Sequence, residues 1–290
     1  PTTDARLPDV VVSATRVAQP LAQAIADVTV IDRVQIDRSG AAALGDVLAR
    51  LPGFEINRNG GPASTTGVFL RGAETRFTAV YVDGVRMDSQ STGGAAWDAI
   101  PLAQIDRIEV VRGAVGAVYG SDAIAGAIQI FTRKGQAGVH PYVGLGAGNY
   151  GSYKTEIGIS GAQDGLSYAL GLAREGSEGF NAQPAGNPDR DGFSAESASG
   201  RLAWKLTAQH SVEASFLLNQ QRVQYDGYLS VDDDVSIKRM QATSLKWLAQ
   251  WTPEYLSTFS VGVSQDRYET APTAYLTDTH LTTFYWQNAY

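Results

Sequence analysis

The chain of 290 residues has no cysteine, two methionines and three histidines. The absence of cysteine excludes disulfides, thiolate metal sites and cysteine nucleophiles. No run approaches the roughly 20 consecutive apolar residues of a membrane-spanning helix. Basic clusters and stacked aromatic platforms are missing too, and the net charge of -7 argues against a nucleic-acid partner. His140, His210 and His280 are far apart, no serine sits in a nucleophile elbow, and no glycine loop is placed to cradle a phosphate. The chain therefore does not read as an enzyme. It also lacks a charged-then-apolar signal peptide. It begins Pro1-Thr2-Thr3-Asp4, as a processed mature protein would, so export is not visible directly. What is abundant is glycine, at 31 residues, with 13 Tyr and 5 Trp in a chain that is 43% hydrophobic and 18% charged. That balance fits a membrane β-barrel, in which only alternate residues face lipid, and fits a soluble β-protein equally well.

The pattern along the chain divides it in three. Residues 1–26 are loose, with Pro8, Pro20 and one apolar island, Val10-Val11-Val12. Residues 27–134 form a mixed α+β unit. Its clearest helix is expected over 41–51, where Leu44, Val47, Leu48 and Leu51 share one face and Pro52-Gly53 stops the run. Strands are expected over 54–57, 68–71, 77–82, 107–111 and 127–132, with a tight hairpin turn at Asp83-Gly84. From 135 to 290 the texture changes to segments of about ten residues with alternating character. They are expected over 143–148, 153–160, 166–174, 197–206, 211–221, 244–251, 257–266 and 282–290. Short connections (161–165, 207–210) alternate with long ones (176–196, 222–243). Transmembrane β-strands of about 9–11 residues with short turns at one end and long loops at the other give that rhythm. Eight strands close a barrel whose interior is filled by side chains, too small to enclose a unit the size of residues 27–134. The reading is therefore the N-terminal part of a larger antiparallel transmembrane barrel.

The most specific stretch is Arg107-Ile108-Glu109-Val110-Val111-Arg112-Gly113, followed by Val118-Tyr119-Gly120-Ser121-Asp122-Ala123-Ile124-Ala125-Gly126-Ala127-Ile128-Gln129-Ile130. It resembles the plug domain of TonB-dependent outer-membrane receptors. Several further stretches resemble the cobalamin (vitamin B12) branch of that family. They are the Leu51-Pro52-Gly53 stop, Asn57-Arg58-Asn59-Gly60-Gly61 and Val82-Asp83-Gly84-Val85-Arg86. The resemblance implies a receptor in the outer membrane of a Gram-negative bacterium. It further implies contact with lipid and lipopolysaccharide, and active import of a scarce bulky small molecule, most simply cobalamin.

Site residues follow from the same resemblance. Pro8, Asp9, Val10, Val11, Val12, Ser13 and Ala14 resemble the Ton box. This segment would add as a strand to the sheet edge of TonB, which works with the inner-membrane energising complex. Arg16 reads either as an ionic latch for that box or as a solvated surface residue. Two plug loops would touch the ligand. The first offers Asn57, Asn59, Gly60, Ser64 and Thr65, the second Ser89, Ser91, Gly93 and Trp97. Such loops bring backbone donors and small side chains close to a bulky amide-fringed molecule, and they read equally as ordinary surface loops. Arg71 and Arg112, at plug strand ends, would pair with barrel-wall carboxylates across a polar seam that can shift.

The long loops carry Asn187-Pro188-Asp189-Arg190-Asp191-Gly192 and the acidic run Asp232-Asp233-Asp234. The first follows half of an EF-hand loop, but Ala198 stands where the bidentate glutamate belongs, so no EF-hand is present. By resemblance, Asp189, Asp191, Tyr225, Asp226 and Asp234 would bind Ca²⁺ and order the loops. Asn181 stands where a further acidic ligand is expected. The alternatives are a solvated acidic rim for these loops and a siderophore or haem importer for the whole. From a different class comes a periplasmic plug-like binding module fused to a small structural barrel.

Overall fold

The structure is a computed structural model that describes residues 10–11, 19–20, 26–184, 187–227, 230 and 232–290. In the leader, β1 (Val10–Val11) pairs antiparallel with β2 (Gln19–Pro20). The other residues of the Ton-box reading, and Arg16, lie outside the described residues.

The plug runs from β3 (Asp27–Asp32) through α1 (Arg33–Ser39), α2 (Leu44–Leu48), β4 (Phe54–Arg58), β5 (Thr66–Leu70), β6 (Thr78–Val82) and β7 (Val85–Met87). It continues through β8 (Ile105–Arg112) and α3 (Gly116–Tyr119) to β9 (Gly126–Thr132). Five of these strands form one mixed sheet in the order β3-β8-β9-β6-β7, with β6 and β9 parallel, while β4 and β5 make a separate hairpin. Sheets covered on both faces read as continuous apolar runs. Accordingly every residue of β6 and β9 is buried. Val80, Val82, Ile128 and Ile130 face the main core with Leu44, Leu48 and Ile108. Ala79, Tyr81 and Ala127 face a second, smaller core built on Tyr119 and Ala123. The Tyr-Gly-Ser turn is thus a structural wedge. The Tyr119 ring lies 5.3 Å from the Tyr81 ring, and the Tyr81 hydroxyl donates to the Tyr119 carbonyl at 2.8 Å.

Two glycine positions explain themselves. Gly84 and the preceding Asp83 both have positive φ, 88° and 49°, which a two-residue turn of right-handed twist between β6 and β7 requires. At Gly126 a Cβ would sit 2.3 Å from the Val111 carbonyl oxygen, so any side chain would prise β9 from β8.

The helix expected over 41–51 is only one and a half turns long, because the chain reverses at Pro52-Gly53. Its apolar face is as expected: Leu44, Val47 and Leu48 are buried. Helix α1, strand β3 and strand β7 had no sequence signal of their own. All three are short. The first is fixed by a capping box in which Asp32 and Gln35 exchange hydrogen bonds of 2.8 and 2.9 Å, a local device rather than a periodic one.

The second region is a meander of eight antiparallel strands. It comprises β10 (Gly138–Ala147), β11 (Tyr153–Gln163), β12 (Leu166–Phe180), β13 (Asp191–Lys205), β14 (His210–Tyr225), β15 (Asp234–Gln250), β16 (Leu256–Ala271) and β17 (Tyr275–Ala289). The number of strands matches the sequence reading, but most are far longer. The stretches expected as loops over 176–196 and 222–243 are mostly strand. The true connections are 181–190 and 226–233, because the ladder extends well past the apolar band. Exposure alternates along β10 and β11 as period-two side chains require. The outward residues Val143, Ile157, Leu172, Leu245 and Phe284 are 54–78% exposed apolar groups. At the short-turn end of that face, Trp247, Phe259 and Trp286 are register partners. Their rings stack at 5.3 and 5.7 Å, an aromatic girdle.

Candidate ligand-binding site and plug seam

The plug docks into the concave face of the meander, and both expected ligand loops open toward the same end as the long connections. At Gly60 a Cβ would lie 3.5 Å from Ala182 in the first long connection. The Gln90 backbone N–H donates to Thr279 Oγ1 on β17 at 2.9 Å. Between the loops and the wall lies a depression of about 70 Å³ lined by Thr65, Ser91, Thr92, Asp98, Lys238 and Tyr268, among others.

The residues proposed for ligand contact fall into two groups. Asn57, Asn59, Thr65 and Gly93 are exposed, and Gly60 and Ser91 are half-exposed, so they can meet a ligand. Ser64, Ser89 and Trp97 cannot, which corrects the sequence reading. Ser89 is 1% exposed and donates to Asp266, and Trp97 is 1% exposed with its indole N–H on Thr75 Oγ1 at 2.8 Å. These three brace the loops from beneath. The sequence reading missed Asp98, Lys238, Asp266 and Tyr268. The last three sit on inward positions of β15 and β16, and only the strand register, with Lys238 opposite Tyr268, brings them to the site.

Asp98 is a hub. Its side chain is fully buried, pairs with Lys238, and accepts from Gln221 Nε2 at 3.3 Å and from the Thr66 N–H at 3.3 Å. A second buried pair joins Asp83, at the β6–β7 turn, to Arg201 on β13. Asp83 also accepts from the Thr132 hydroxyl at 2.6 Å and its N–H at 3.0 Å. Neutral contacts continue the seam. Asn219 donates to the Ala99 carbonyl at 2.8 Å, Ser199 to Gln104 Oε1 at 2.7 Å, and Ser264 to the Arg86 carbonyl at 2.7 Å.

The seam is not wholly polar, contrary to the sequence reading. Leu217, Met240 and Ala242, all on inward wall positions, are 1–3% exposed and belong to the plug's main core. Arg71 and Arg112 also differ from expectation. Their ionic partner in the described residues is Asp27, at 2.9 and 3.2 Å, inside the plug. Arg112 further donates to Thr29 Oγ1 at 2.7 Å and the Pro52 carbonyl at 3.2 Å. They clamp the point at which the leader enters the sheet. The charged plug residues that reach the wall are instead Asp83, Asp98 and Arg33, the last lying 3.8 Å from Glu156.

The two acidic connections meet above the cup. Asn187 Nδ2 donates to Asp233 Oδ1 at 3.2 Å across them. Burial, then hydrogen bonding and repulsion from Asp233, raises the Asp189 carboxyl above its ordinary range. Burial, then the negative charges of Asp191, Asp189, Asp234 and Asp233, does the same to Asp226. Asp191 accepts from the Ala182 N–H at 2.8 Å and Asp234 from the Gly227 N–H at 2.9 Å. Asp189 Oδ1, Asp226 Oδ2 and Asn181 Oδ1 are buried without a hydrogen-bond partner. Two unpartnered carboxylate oxygens under mutual repulsion, with a neutral amide oxygen beside them, are the donor type a hard cation takes. No group of three acidic or histidine side chains stands at metal-ligand spacing among the described residues, so the carboxylates converge without forming a finished shell.

Residues 20–127 match the TonB-dependent Receptor Plug Domain family. The vitamin B12 transporter BtuB of Vibrio vulnificus (strain CMCP6) is 34% identical over 245 residues, which are 81% of this chain and 40% of that protein. The chain belongs to the TonB-dependent receptors. Solved structures agree on the fold. The FpvAI–pyocin S2 complex matches at TM-score 0.77 and 16% identity, over 97% of this chain and 40% of that one. The ferric yersiniabactin uptake receptor FyuA of Yersinia pestis matches at TM-score 0.70 and 20% identity, over 91% and 44%. This TonB-dependent receptor chain thus spans about two fifths of the length of the relatives it matches. The family comprises outer-membrane transporters and receptors of Gram-negative bacteria, not enzymes.

Proposed function

We propose that this chain supplies the plug, the lower half of the ligand cup and two cup-covering loops of a receptor that imports a corrinoid, cobalamin, across the outer membrane with energy from TonB. The observation that carries this reading is the 34% identity to a vitamin B12 transporter over 81% of the chain. The siderophore receptors among the solved structures are at most 21% identical and share the fold alone. The exposed Asn57, Asn59, Thr65 and Gly93 suit a ligand fringed with amides, because they offer small side chains and accessible backbone donors.

Calcium belongs to the same proposal. Asp189, Asp191, Asp226 and Asp234, with Tyr225 beside them, would hold it. The ion would relieve the repulsion that raises Asp189 and Asp226. Ordering the two connections before the ligand arrives raises affinity without adding a ligand contact. In the leader, residues 8–14 would engage TonB by strand addition, for which main-chain groups matter more than side chains.

The direct test is growth of cobalamin-dependent cells carrying the full-length receptor on trace cobalamin. Rescue is expected, and rescue by a ferric siderophore alone would reverse the assignment. Val11→Pro removes a ladder donor and should abolish rescue while cyanocobalamin binding to cells stays within about twofold. Undiminished transport by Val11→Pro would remove the Ton-box reading and leave the cargo untouched.

A further inference from the structure

In the loop between β4 and β5, Asn59 is followed by Gly60, and no other asparagine of the chain precedes a glycine. An asparagine carboxamide carbon can close a five-membered ring with the backbone nitrogen of the next residue. Closure needs a side chain free to turn onto that nitrogen, an N–H not held in a hydrogen bond, and a nitrogen not screened by a side chain of its own. Glycine meets the last condition because it has no Cβ.

The structure supplies the other two. Asn59 is exposed, and its carboxamide makes no hydrogen bond among the described residues. The Gly60 N–H is accepted by no group among them. The same accounting sets nearby and similar pairs apart. Asn57 is equally exposed, but it lies in β4 and is followed by Arg58, whose side chain is fixed by Asp46 at 2.8 Å and Thr66 Oγ1 at 3.2 Å. The Gly192 N–H donates to the Arg190 carbonyl at 3.1 Å, and the Gly227 N–H to the Asp234 carboxylate at 2.9 Å. The loop that holds Asn59 is also closed on itself. The Asn59 N–H donates to the Thr65 carbonyl at 3.2 Å, and the Ser64 N–H to the Gly61 carbonyl at 3.0 Å. Gly60 has a φ of 150°, and a Cβ there would stand 2.8 Å from Ser64 Oγ and 3.5 Å from Ala182.

We propose that Asn59-Gly60 is a site of spontaneous covalent modification, at which the exposed plug loop converts itself to an aspartyl or isoaspartyl form and thereby weakens the ligand cup. Hydroxide takes the Gly60 amide proton, and the nitrogen attacks Asn59 Cγ. The N–Cγ bond forms, the Cγ–Nδ2 bond breaks, and ammonia leaves with a proton from water, which restores the hydroxide. Water then opens the cyclic imide. Cleavage at Cγ leaves aspartate at position 59. Cleavage at the main-chain carbonyl leaves an isoaspartyl link with one extra backbone atom. Either product replaces a neutral amide with a carboxylate that has no N–H to donate. The extra atom must be absorbed inside a loop closed at both ends, so the isoaspartyl form also shifts the loop tip against Ser64 and Ala182. The modification is independent of the cargo, whereas its effect on affinity rests on the corrinoid reading.

The test ages the purified full-length receptor in parallel at pH 6 and pH 8 and maps its peptides by mass spectrometry. The peptide holding Asn59 should gain about one mass unit, faster at pH 8 because the step is first order in hydroxide, and fragmentation should place an isoaspartyl link at position 59. Asn57, in the same region, should stay intact. Cyanocobalamin binding by the same samples should weaken about tenfold in the converted fraction, the loss expected for one hydrogen bond replaced by an unpaired charge. Asn59→Asp should show weakened binding without ageing. Asn59→Gln, whose longer side chain closes a six-membered ring far more slowly, should keep its own starting affinity through the ageing period. An Asn59 that survives at pH 8, or conversion at Asn57 to the same extent, would overturn the assignment. Full conversion with unchanged affinity would overturn its coupling to the cup. If the fresh receptor does not bind cyanocobalamin, the cargo reading fails and the peptide map alone decides the modification.

Discussion

The plug and the wall bury their apolar residues by opposite rules. In the plug, β6 and β9 are buried at every position because core lies on both faces of the sheet. In the wall, burial alternates, and the outward apolar residues remain exposed because only the inner face meets the plug. The two rules meet along the inner face of β13 to β16. There a residue and its chain neighbour have different solvents. Leu217 is 1% exposed and part of the plug core, whereas Leu218 is 42% exposed and faces outward. The difference teaches that the wall is more than a container. Its inner face completes the plug's core, and the same inner face supplies the counter-ions for Asp83 and Asp98.

The comparison breaks hardest at the buried pairs. Arg201→Met leaves Asp83 uncompensated at 3% side-chain exposure, and should destabilise the docked plug by about 3–5 kcal/mol. Denaturant-induced release of the plug in the full-length receptor measures this. A loss below about 1 kcal/mol would mean that the turn is held by Thr132 alone. Next come the adjacent leucines. Leu217→Ala opens a cavity between wall and plug and should cost about 2–5 kcal/mol in the same assay, while Leu218→Ala should leave plug release within about 1 kcal/mol of the wild type. Equal effects at the two positions would show that the wall does not share the plug's core.

The smallest effect lies at the rim, where neither rule of burial applies and charge governs. The carboxyls of Asp189 and Asp226 are raised when the two connections meet. A raised value means that the met state holds its protons more tightly than the separated loops. Without a cation, loop closure is therefore favoured at low pH and is lost as pH rises through the raised values, which lie above the ordinary aspartate value of about 3.9. On the proposed calcium reading the ion would compete with those protons, so its apparent affinity should rise across the same window. Isothermal titration at pH 5 and pH 7 should show tighter binding at the higher pH, and Asp226→Asn should flatten the difference. Calcium binding that is independent of pH would separate these aspartates from the ion.

How much of this was legible in the sequence follows from the same contrast. The wall was readable because period-two alternation is a strong local signal, and its strand count came out right. Its strand ends did not, because beyond the apolar band the ladder continues with polar residues on both faces, as in the neighbours Arg174 and Glu175. The plug's central strands were readable as apolar runs, and the Asp83-Gly84 turn as a turn dipeptide. Helix α1 and strands β3 and β7 were not, because each is held by caps and neighbours rather than by a pattern. The exposed ligand-loop residues came from motif spelling. Lys238, Asp266 and Tyr268 had no such signal, because only the register of β15 and β16 against the plug brings residues about 140 and more positions downstream to Asp98 and Ser89. The burial of Trp97 and Ser89 was likewise invisible, since a glycine-rich loop can present a side chain upward or tuck it beneath.

The position of β3 has a mechanical consequence. It is the edge strand of the plug sheet, and Asp27, its first residue, is tied to both Arg71 and Arg112. The opposite edge, β7, rests against the wall, where a Cβ on Gly262 would lie 2.9 Å from Val85. A pull on the leader would enter at one margin of the sheet, whereas the buried ion pair of Asp83 with the wall sits at the other. Tension directed along β3 would load its six-residue ladder with β8 in shear, with all rungs resisting together, whereas tension across it would open the rungs singly, starting at Asp27. The arginine clamp is the first link in that load path, and the direction of pull decides whether the plug yields strand by strand or as one block.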